Sequence, residues 1–215
     1  AGNLAYLAAG HAGLHVIDIT TLARPRLIGS YAPSIPAWVY DVAVVGQLVY
    51  VAAGEGGLRV VDVSNPFALQ EIGECRLAGT AQGVTIAGNL AYVAAGEGGL
   101  RVVDISDPVA PRELSYYVTP MRARGVAVAG TTIYVAASLG GLIVLEGLMP
   151  TNPYEIGYYD TPGEARAVVA SNELAYVADR EGGLAVLRYT TPVPTPTPTA
   201  TPWPSPTPGL PPASV

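Results

Sequence analysis

Short apolar runs recur along the chain, with hydrophobic residues on both alternating faces and turn residues at both ends. Residues 90–95 (LAYVAA) and 100–105 (LRVVDI) show this pattern most clearly. Runs of about four to eight apolar, often β-branched residues bounded by glycine predict strands that are buried on both sides. The glycines of residues 96–99 predict a tight hairpin between the two strands. Asp, Ser and Pro in residues 104–108 predict the turn that ends the second strand.

The same pattern returns at a nearly constant interval. Its tyrosines are spaced by 44, 42, 42 and 42 residues and are Tyr6, Tyr50, Tyr92, Tyr134 and Tyr176. Each copy also has a more polar third run, such as residues 112–118, and a fourth run, such as residues 124–129, that leads into the next copy. Four short antiparallel strands per repeat of this length predict the blade of a β-propeller, whereas a β-solenoid would have rungs of about 20–30 residues.

The repeats predict an all-β fold, a β-propeller of about five four-stranded blades over residues 1–189. Blade one begins at its second strand, and blades two to four span residues 39–75, 82–118 and 124–159. Blade five has three strands, in residues 166–170, 174–178 and 184–188. One strand is therefore missing at the inner side of blade one and another at the outer side of blade five. A ring that closes on a bare strand edge invites pairing from outside.

Residues 190–215 contain ten of the 20 prolines of the chain and are predicted to form an extended Pro/Thr-rich tail. Such a composition cannot build a core and favours an extended spacer, which in exported proteins is typically an O-glycosylated stalk. We expect the tail either to remain a free stalk or to dock as a strand in its own or a neighbouring chain. Its predicted contact residues are Pro194, Thr195, Pro196, Thr197, Pro198, Thr199 and Trp203.

Residues 58–62 (LRVVD), 14–18 (LHVID) and 100–104 (LRVVD) resemble the LVIVD repeat. That family is found in bacterial and archaeal surface proteins and is thought to form β-propellers. The resemblance covers roughly residues 1–189 and implies a cell-surface setting but no reaction. The last two copies depart from it, because Glu146 and Arg188 replace the turn-forming Asp.

Composition narrows the possible partners. The net charge is −6 and only 13% of the residues are charged, which argues against nucleic acid and anionic membranes as partners. No apolar stretch reaches the roughly 18 residues that a membrane span needs. Because the chain begins at Ala1 without Met, we expect either a removed signal peptide or a fragment. Cys75 is the single cysteine, so it is either a packed core residue or an intermolecular disulfide.

Two groups of possible metal ligands have structural explanations. His11 and His15 align with Glu97 and Arg101, which we interpret as exposed positions of the repeat. Asp18, Asp62 and Asp104 end strands, and each turn offers too few oxygens for calcium, so we interpret these carboxylates as caps of their own turns. We expect no metal and no cofactor. The glycines that recur in the hairpins, Gly56, Gly98, Gly140 and Gly182, are expected to adopt positive φ.

The candidate ligand site lies where the inner strands begin. Tyr40, Gln82, Arg124 and Arg166 occupy equivalent positions there and are expected to converge at one mouth of the channel. Trp38, Arg122 and Glu164 precede them by two residues and form the predicted rim. Such a ring suits an anionic or sugar ligand, and the other interpretation is a solvated rim whose polar groups pair with each other.

No catalytic motif was found, so we expect a protein that is not an enzyme. The first functional hypothesis is an extracellular structural protein that assembles with itself into a filament or layer and uses its tail for subunit contacts. The second is a ligand-binding or adhesion propeller on a glycosylated stalk. An exported hydrolase or lyase remains as a third, because propellers host such enzymes.

Overall fold

The computed structural model describes residues 2–33, 37–171 and 174–189. Within them the chain forms 18 strands in five antiparallel sheets, each built from consecutive strands. The all-β prediction and the repeated sheets are thereby confirmed. The described residues contain no helix long and apolar enough to cross a membrane.

The strands of the five sheets are as follows. Sheet one has β1 (Leu4–Ala8), β2 (Leu14–Asp18) and β3 (Arg26–Tyr31). Sheet two has β4 (Asp41–Val45), β5 (Leu48–Ala52), β6 (Leu58–Asp62) and β7 (Gln70–Cys75). Sheet three has β8 (Gly83–Ala87), β9 (Leu90–Ala94), β10 (Leu100–Asp104) and β11 (Arg112–Tyr117). Sheet four has β12 (Gly125–Ala129), β13 (Thr132–Ala136), β14 (Leu142–Glu146) and β15 (Tyr154–Tyr159). Sheet five has β16 (Ala167–Ser171), β17 (Leu174–Asp179) and β18 (Gly183–Arg188), with a 3-10 turn (Arg180–Gly182) between the last two.

Every outer strand of the first four sheets carries a β-bulge at the same place. In sheet four Val144 pairs with Gly157 and Leu145 pairs with Glu155, which leaves Ile156 unpaired. The corresponding register shifts occur in the other three sheets. A bulge adds one residue to a strand and increases its local twist, so the bulge is part of the repeated unit.

Sheets two to four each pack one face on the following sheet and the other face on the preceding sheet. We call these the forward face and the backward face. In sheet two the forward face carries Tyr50, Ala52, Leu58 and Val60, which form one cluster with residues of sheet three. The backward face of sheet two carries Val49, Val51, Ala53, Val61 and Val63, which pack against sheet one. Equivalent clusters join sheets three and four and sheets four and five.

The five sheets form an open arc. Among the described residues, no core cluster joins sheet five to sheet one, and the bridges between sheets link only consecutive ones. The closed ring that the sequence suggested is therefore absent from the described part of the chain. Within the described residues, the forward face of sheet five and the backward face of sheet one have no partner sheet.

The hairpin glycines differ from the prediction. Positive φ is found at the first and last residues of each four-residue loop, such as Gly96 (φ 57) and Gly99 (φ 73), and not at Gly56, Gly98, Gly140 or Gly182. Gly98 is required for another reason, because a β-carbon there would overlap the carbonyl oxygen of Ala78. The expectation of positive φ at these four positions was wrong.

Candidate functional site

The four mouth residues lie directly before the inner strands β4, β8, β12 and β16. The backbone N–H of each donates a hydrogen bond to the carbonyl of the last or next-to-last residue of the neighbouring strand, at 2.7–2.9 Å, as between Arg124 and Ala136. The same end of sheets two to five therefore presents one of these residues each, as their equivalent positions in the repeat predicted.

The structure brings three of the four mouth residues into one network. Arg124 donates a hydrogen bond from Nη1 to Oε1 of Gln82 at 3.3 Å, and its Nη2 lies 3.1 Å from Oε1 of Glu164. Arg166 reaches Oε2 of Glu164 at 2.9 Å. Tyr40 is not part of this network. The side chains thus pair with each other, as in the second interpretation of the sequence.

Glu164 is the centre of the network. Its side chain is largely buried, and it also accepts hydrogen bonds from Ser138 Oγ at 3.0 Å and from Arg180 Nη1 at 2.9 Å. The hydrogen bond from Arg166, assisted by Ser138 and Arg180, lowers the pKa of Glu164 to about 2, although desolvation opposes it. Glu164 is therefore ionised at neutral pH and is surrounded by three guanidinium groups.

The sequence did not single out Ser138 and Arg180. They are the two non-glycine residues with positive φ in the described part of the chain, at 53° and 34°. In the repeat both occupy the place of Gly10, Gly54 and Gly96, which have positive φ as well. The sequence indicates these two residues only by the replacement of glycine at this position in the last two repeats.

Aromatic side chains occupy the other end of the arc. The ring of Trp38 lies edge-on to His11 with centroids 4.2 Å apart, and it stacks on Tyr40 at 6.0 Å. A small cavity of ≈ 200 Å³ lies beside them and is also lined by Glu55 and Thr80. The mouth is thus divided into an aromatic part at sheets one and two and a charged part at sheets four and five.

Arg122, the third rim residue, forms an exposed ion pair with Glu97. The distance from Nη2 to Oε1 is 2.7 Å, and both side chains are more than half exposed. Exposed pairs of this kind contribute little to stability, about 0–1 kcal/mol. Arg122 does not reach Glu164 and stands apart from the charged part of the mouth.

Sheet five also contains a buried carboxylate next to Arg180. Asp179 is fully buried and accepts hydrogen bonds from Thr161 Oγ1 at 2.6 Å and from the N–H of Gly163 at 2.7 Å. In the other repeats this position is alanine, as at Ala137. Asp179 thus fixes the loop that carries Glu164 against the turn that carries Arg180.

The carboxylates at the strand ends cap their own turns. Oδ1 of Asp18, Asp62 and Asp104 accepts the backbone N–H two residues later at 2.8–3.0 Å, and Glu146 does the same for Leu148. The cap therefore persists in repeat four, where the sequence departs from the pattern. The described residues contain no group of three or more His, Cys, Asp or Glu that could hold a metal ion.

The residues that occupy the position of His15 in the second and third repeats are more buried than expected. Arg59, the equivalent in sheet two, is 1% exposed and reaches Oε1 of Glu71 at 2.8 Å. Arg101 pairs with Glu113 at the same distance. The interpretation of these positions as exposed was wrong, because a carboxylate on the adjacent outer strand pairs with Nη1 of each guanidinium. In the described part of the chain, Nε and Nη2 of Arg59 and Nε of Arg101 are buried without a hydrogen-bond partner.

Five segments of the chain match the LVIVD repeat, at residues 1–33, 38–76, 78–119, 122–161 and 162–187. The chain belongs to the LVIVD-repeat family. The five segments coincide with the five sheets. No curated protein matches the chain.

The five LVIVD repeats resemble several solved β-propeller and related structures at low sequence identity. The β-propeller domain of Cps50 (Swd1) from Myceliophteria thermophila has a TM-score of 0.70 at 14% identity, over 88% of this chain and 67% of that chain. The computationally designed protein Ika8 has a TM-score of 0.68 at 16% identity, over 88% and 56%. BamB from Moraxella catarrhalis has a TM-score of 0.65 at 16% identity, over 87% and 55%. The chain thus spans little more than half of two of these proteins, and the likeness shows the propeller fold alone.

Two further predictions concern residues outside the mouth. Cys75 of the second LVIVD repeat is buried, and burial raises the pKa of its thiol, so it is a packed core residue in this structure. The predicted contact residues of the tail, from Pro194 to Trp203, lie outside the described residues. Their contacts stay a prediction.

Proposed function

We propose that this LVIVD-repeat protein is a non-enzymatic structural and interaction protein of the cell surface that assembles with copies of itself. Assembly occurs when the forward face of sheet five in one copy packs on the backward face of sheet one in the next. The observation that carries the proposal is the exposure of both of these apolar faces at the ends of the arc.

The forward face of sheet five exposes side chains whose equivalents are buried in the other sheets. Leu184 is 68% exposed and Val186 is 52% exposed. Their equivalents in sheet four, Leu142 and Val144, are 2% and 5% exposed because sheet five covers them. Sheet five therefore presents the same apolar surface as sheet four, but no following sheet packs on it within the described residues.

The backward face of sheet one is exposed in the same way. Leu7 is 48% exposed, whereas its equivalent in sheet two, Val51, is completely buried against sheet one. Ile17 and Ile19, which correspond to the buried Val61 and Val63, are only partly covered. Both ends thus present the type of surface that is buried four times within the arc.

The two free faces complement each other because every internal junction joins a forward face to a backward face. A contact between unlike patches is heterologous, and it leads to rings or open polymers of identical subunits. Burial of an aliphatic side chain contributes about 1.5–3 kcal/mol, so a few such residues favour association substantially. The extracellular setting is supported by the resemblance to surface proteins and by the Pro/Thr-rich tail.

Binding of an anionic ligand at the mouth is the second proposal. It is supported by the three guanidinium groups around the carboxylate of Glu164, of which that of Arg180 also pairs with Glu181 at 3.1 Å. It is also supported by the two strained residues beside Glu164, since backbone strain concentrates at functional sites. Arg166 and Arg180 are 45% and 57% exposed and therefore accessible to a ligand.

The double variant Leu184→Glu/Val186→Glu tests the assembly. We expect the natural chain to sediment as dimers or longer polymers and this variant to dissociate, with an affinity lower by on the order of 100-fold or more. Both side chains are exposed in the single chain, so the variant should retain its circular dichroism and melting temperature.

The matched control is Val109→Glu/Val118→Glu in the third repeat, with Val109 in the turn after β10 and Val118 directly after β11. These two valines are 64% and 63% exposed and lie away from both end faces. The control should assemble like the natural chain. Assembly that survives the changes in sheet five, or that fails equally in the control, would sink the proposal.

A further inference from the structure

A groove lies beside the outer edge of sheet five. It has a volume of ≈ 420 Å³ and is lined mainly by apolar groups of β15, of β18 and of the residue that follows β18, among them Ile156, Tyr159, Leu187 and Tyr189. Sheets two to four each have a fourth strand, and in sheet five the described residues provide three. The groove therefore lies where an outer strand of sheet five would pack on β15.

At three junctions the outer strand contacts a proline in the turn of the following sheet. A β-carbon at Gly29 would overlap the carbonyl oxygen of Pro66, and one at Gly73 would overlap that of Pro108. At the third junction Ser115 donates a hydrogen bond from Oγ to the carbonyl of Pro150 at 2.5 Å. A proline carbonyl against this residue of the outer strand is thus a regular feature of the repeat.

The fourth junction lacks this contact within the described residues. Gly157 is the equivalent of Gly73 and Ser115, and the nearest atom to an added β-carbon belongs to the ring of Tyr189 at 3.6 Å. The prolines at the other junctions are Pro66, Pro108 and Pro150, spaced by 42 residues, and the residue 42 positions after Pro150 is Pro192.

We propose that residues 192–201 of the same chain fill this groove and complete sheet five as its outer strand. Pro192 takes the place of Pro150 against Gly157. Residues 196–201 then take the place of β15 and pair with β18, in the register in which β15 pairs with β14.

The spacing of the prolines in the tail fits this register. Pro196 falls on the first residue of the strand, and Pro198 falls on the bulge that Ile156 occupies in β15. Proline is tolerated at the first residue of a strand and at a bulge. Thr197, Thr199 and Thr201 fall on the paired positions.

The connection has the right length for docking within the same chain. Eight positions separate Arg188 from Pro196, as they separate Glu146 from Tyr154 and Asp104 from Arg112 in the preceding repeats. The exposure of Tyr159 also fits a missing strand. Its equivalent in sheet three, Tyr117, donates a hydrogen bond to Glu155 of the following sheet at 2.5 Å, whereas Tyr159 is half exposed. In the proposed register the position facing Tyr159 is Thr197.

A disulfide in the full chain tests both the occupant and its register. In a Cys75→Ala background, Ala185→Cys/Ala200→Cys places two thiols directly opposite each other, whereas Ala185→Cys/Thr199→Cys places them on opposite faces. In a glutathione redox buffer, we expect the first pair to form an intramolecular disulfide at least about tenfold more readily, because docking raises its effective concentration. Equal reactivity of the two pairs would overturn the proposal, and covalent dimers would show that the strand is donated to another copy.

Hydrogen exchange gives a second measurement that needs no cysteine. Thr199→Pro places a proline at a paired position and should increase the exchange rates of the β18 amides by about tenfold or more, whereas Ser205→Pro lies beyond the strand and should not. Identical exchange in the two variants would contradict docking. Association of the end faces does not depend on this strand, since it uses the face of sheet five and not its edge.

Discussion

Ser138 and Arg180 hold a backbone conformation that the first three repeats assign to glycine, and both direct their side chains to Glu164. A residue with a β-carbon at positive φ costs roughly 1–2 kcal/mol relative to ordinary helical or extended backbone. In both cases the side chain gains a hydrogen bond to a largely buried carboxylate, which offsets part of this cost. At the scale of single residues, the last two repeats have therefore exchanged an unstrained turn for a charged cluster.

The Glu164→Gln variant tests the contribution of this cluster to stability. The pKa of Glu164 is lowered to about 2 from the ordinary value of 4.5, so the folded chain binds its proton more weakly than the unfolded chain does. The stabilisation that the ionised carboxylate of Glu164 provides is therefore present above about pH 4.5 and is lost as the pH falls toward 2. We expect the natural chain to exceed the variant in free energy of unfolding at pH 6, and this difference to shrink between pH 4.5 and 2 in urea titrations.

A difference that did not change with pH would contradict the role of the ionised carboxylate. The same urea titrations, repeated in the presence of sulfate, distinguish the structural role of Glu164 from binding of an anion. An anion site at Arg166 and Arg180 predicts that sulfate at constant ionic strength stabilises the natural chain and stabilises an Arg166→Ala variant less.

At the scale of strands and turns, the sequence predicted most of what the structure contains. Apolar runs and turn residues placed the strands within one or two positions, because their period and end signals are local properties. The conformation of the hairpin glycines could not be read in this way. The sequence shows that Gly98 recurs, but only the fold shows that the carbonyl of Ala78 occupies the space of its β-carbon.

Two equivalent glycines distinguish this steric reason from a conformational one. Gly98→Ala should cost about 1–3 kcal/mol in free energy of unfolding, because its β-carbon meets backbone that cannot move easily. Gly140→Ala is the matched control, since its β-carbon would lie 3.1 Å from the carbonyl of Ala137 and 3.3 Å from the flexible side chain of Met121. Chemical unfolding should show a clearly smaller loss for Gly140→Ala, and equal losses would point back to backbone conformation.

The candidate site was predictable in position but not in its contacts. The repeat placed Gln82, Arg124 and Arg166 at one end of the sheets because equivalent residues of a repeat occupy equivalent places. The choice of partner depends on side-chain length and on the neighbouring turn. Arg180 enters the site from a hairpin, and the spacing of the mouth residues carries no information about it.

At the scale of the whole molecule, the arc is open because each sheet covers only the next one. The close approach of the inner strands sets their spacing, as at Gly125, where a β-carbon would lie 2.9 Å from Cα of Ala167. The sequence identified the two faces of each repeat but not the angle between successive sheets. The sequence therefore could not predict whether five repeats complete a circle.

The central claim is that the forward face of sheet five recognises the backward face of sheet one in another copy. The most direct test mixes two variants, one with Leu184→Glu/Val186→Glu and one with Leu7→Glu on the opposite face. Each retains one functional face, so each alone should sediment as a monomer, whereas an equimolar mixture should form dimers that contain one copy of each and grow no further. A mixture that remains monomeric under conditions in which the natural chain assembles would contradict head-to-tail recognition between these faces.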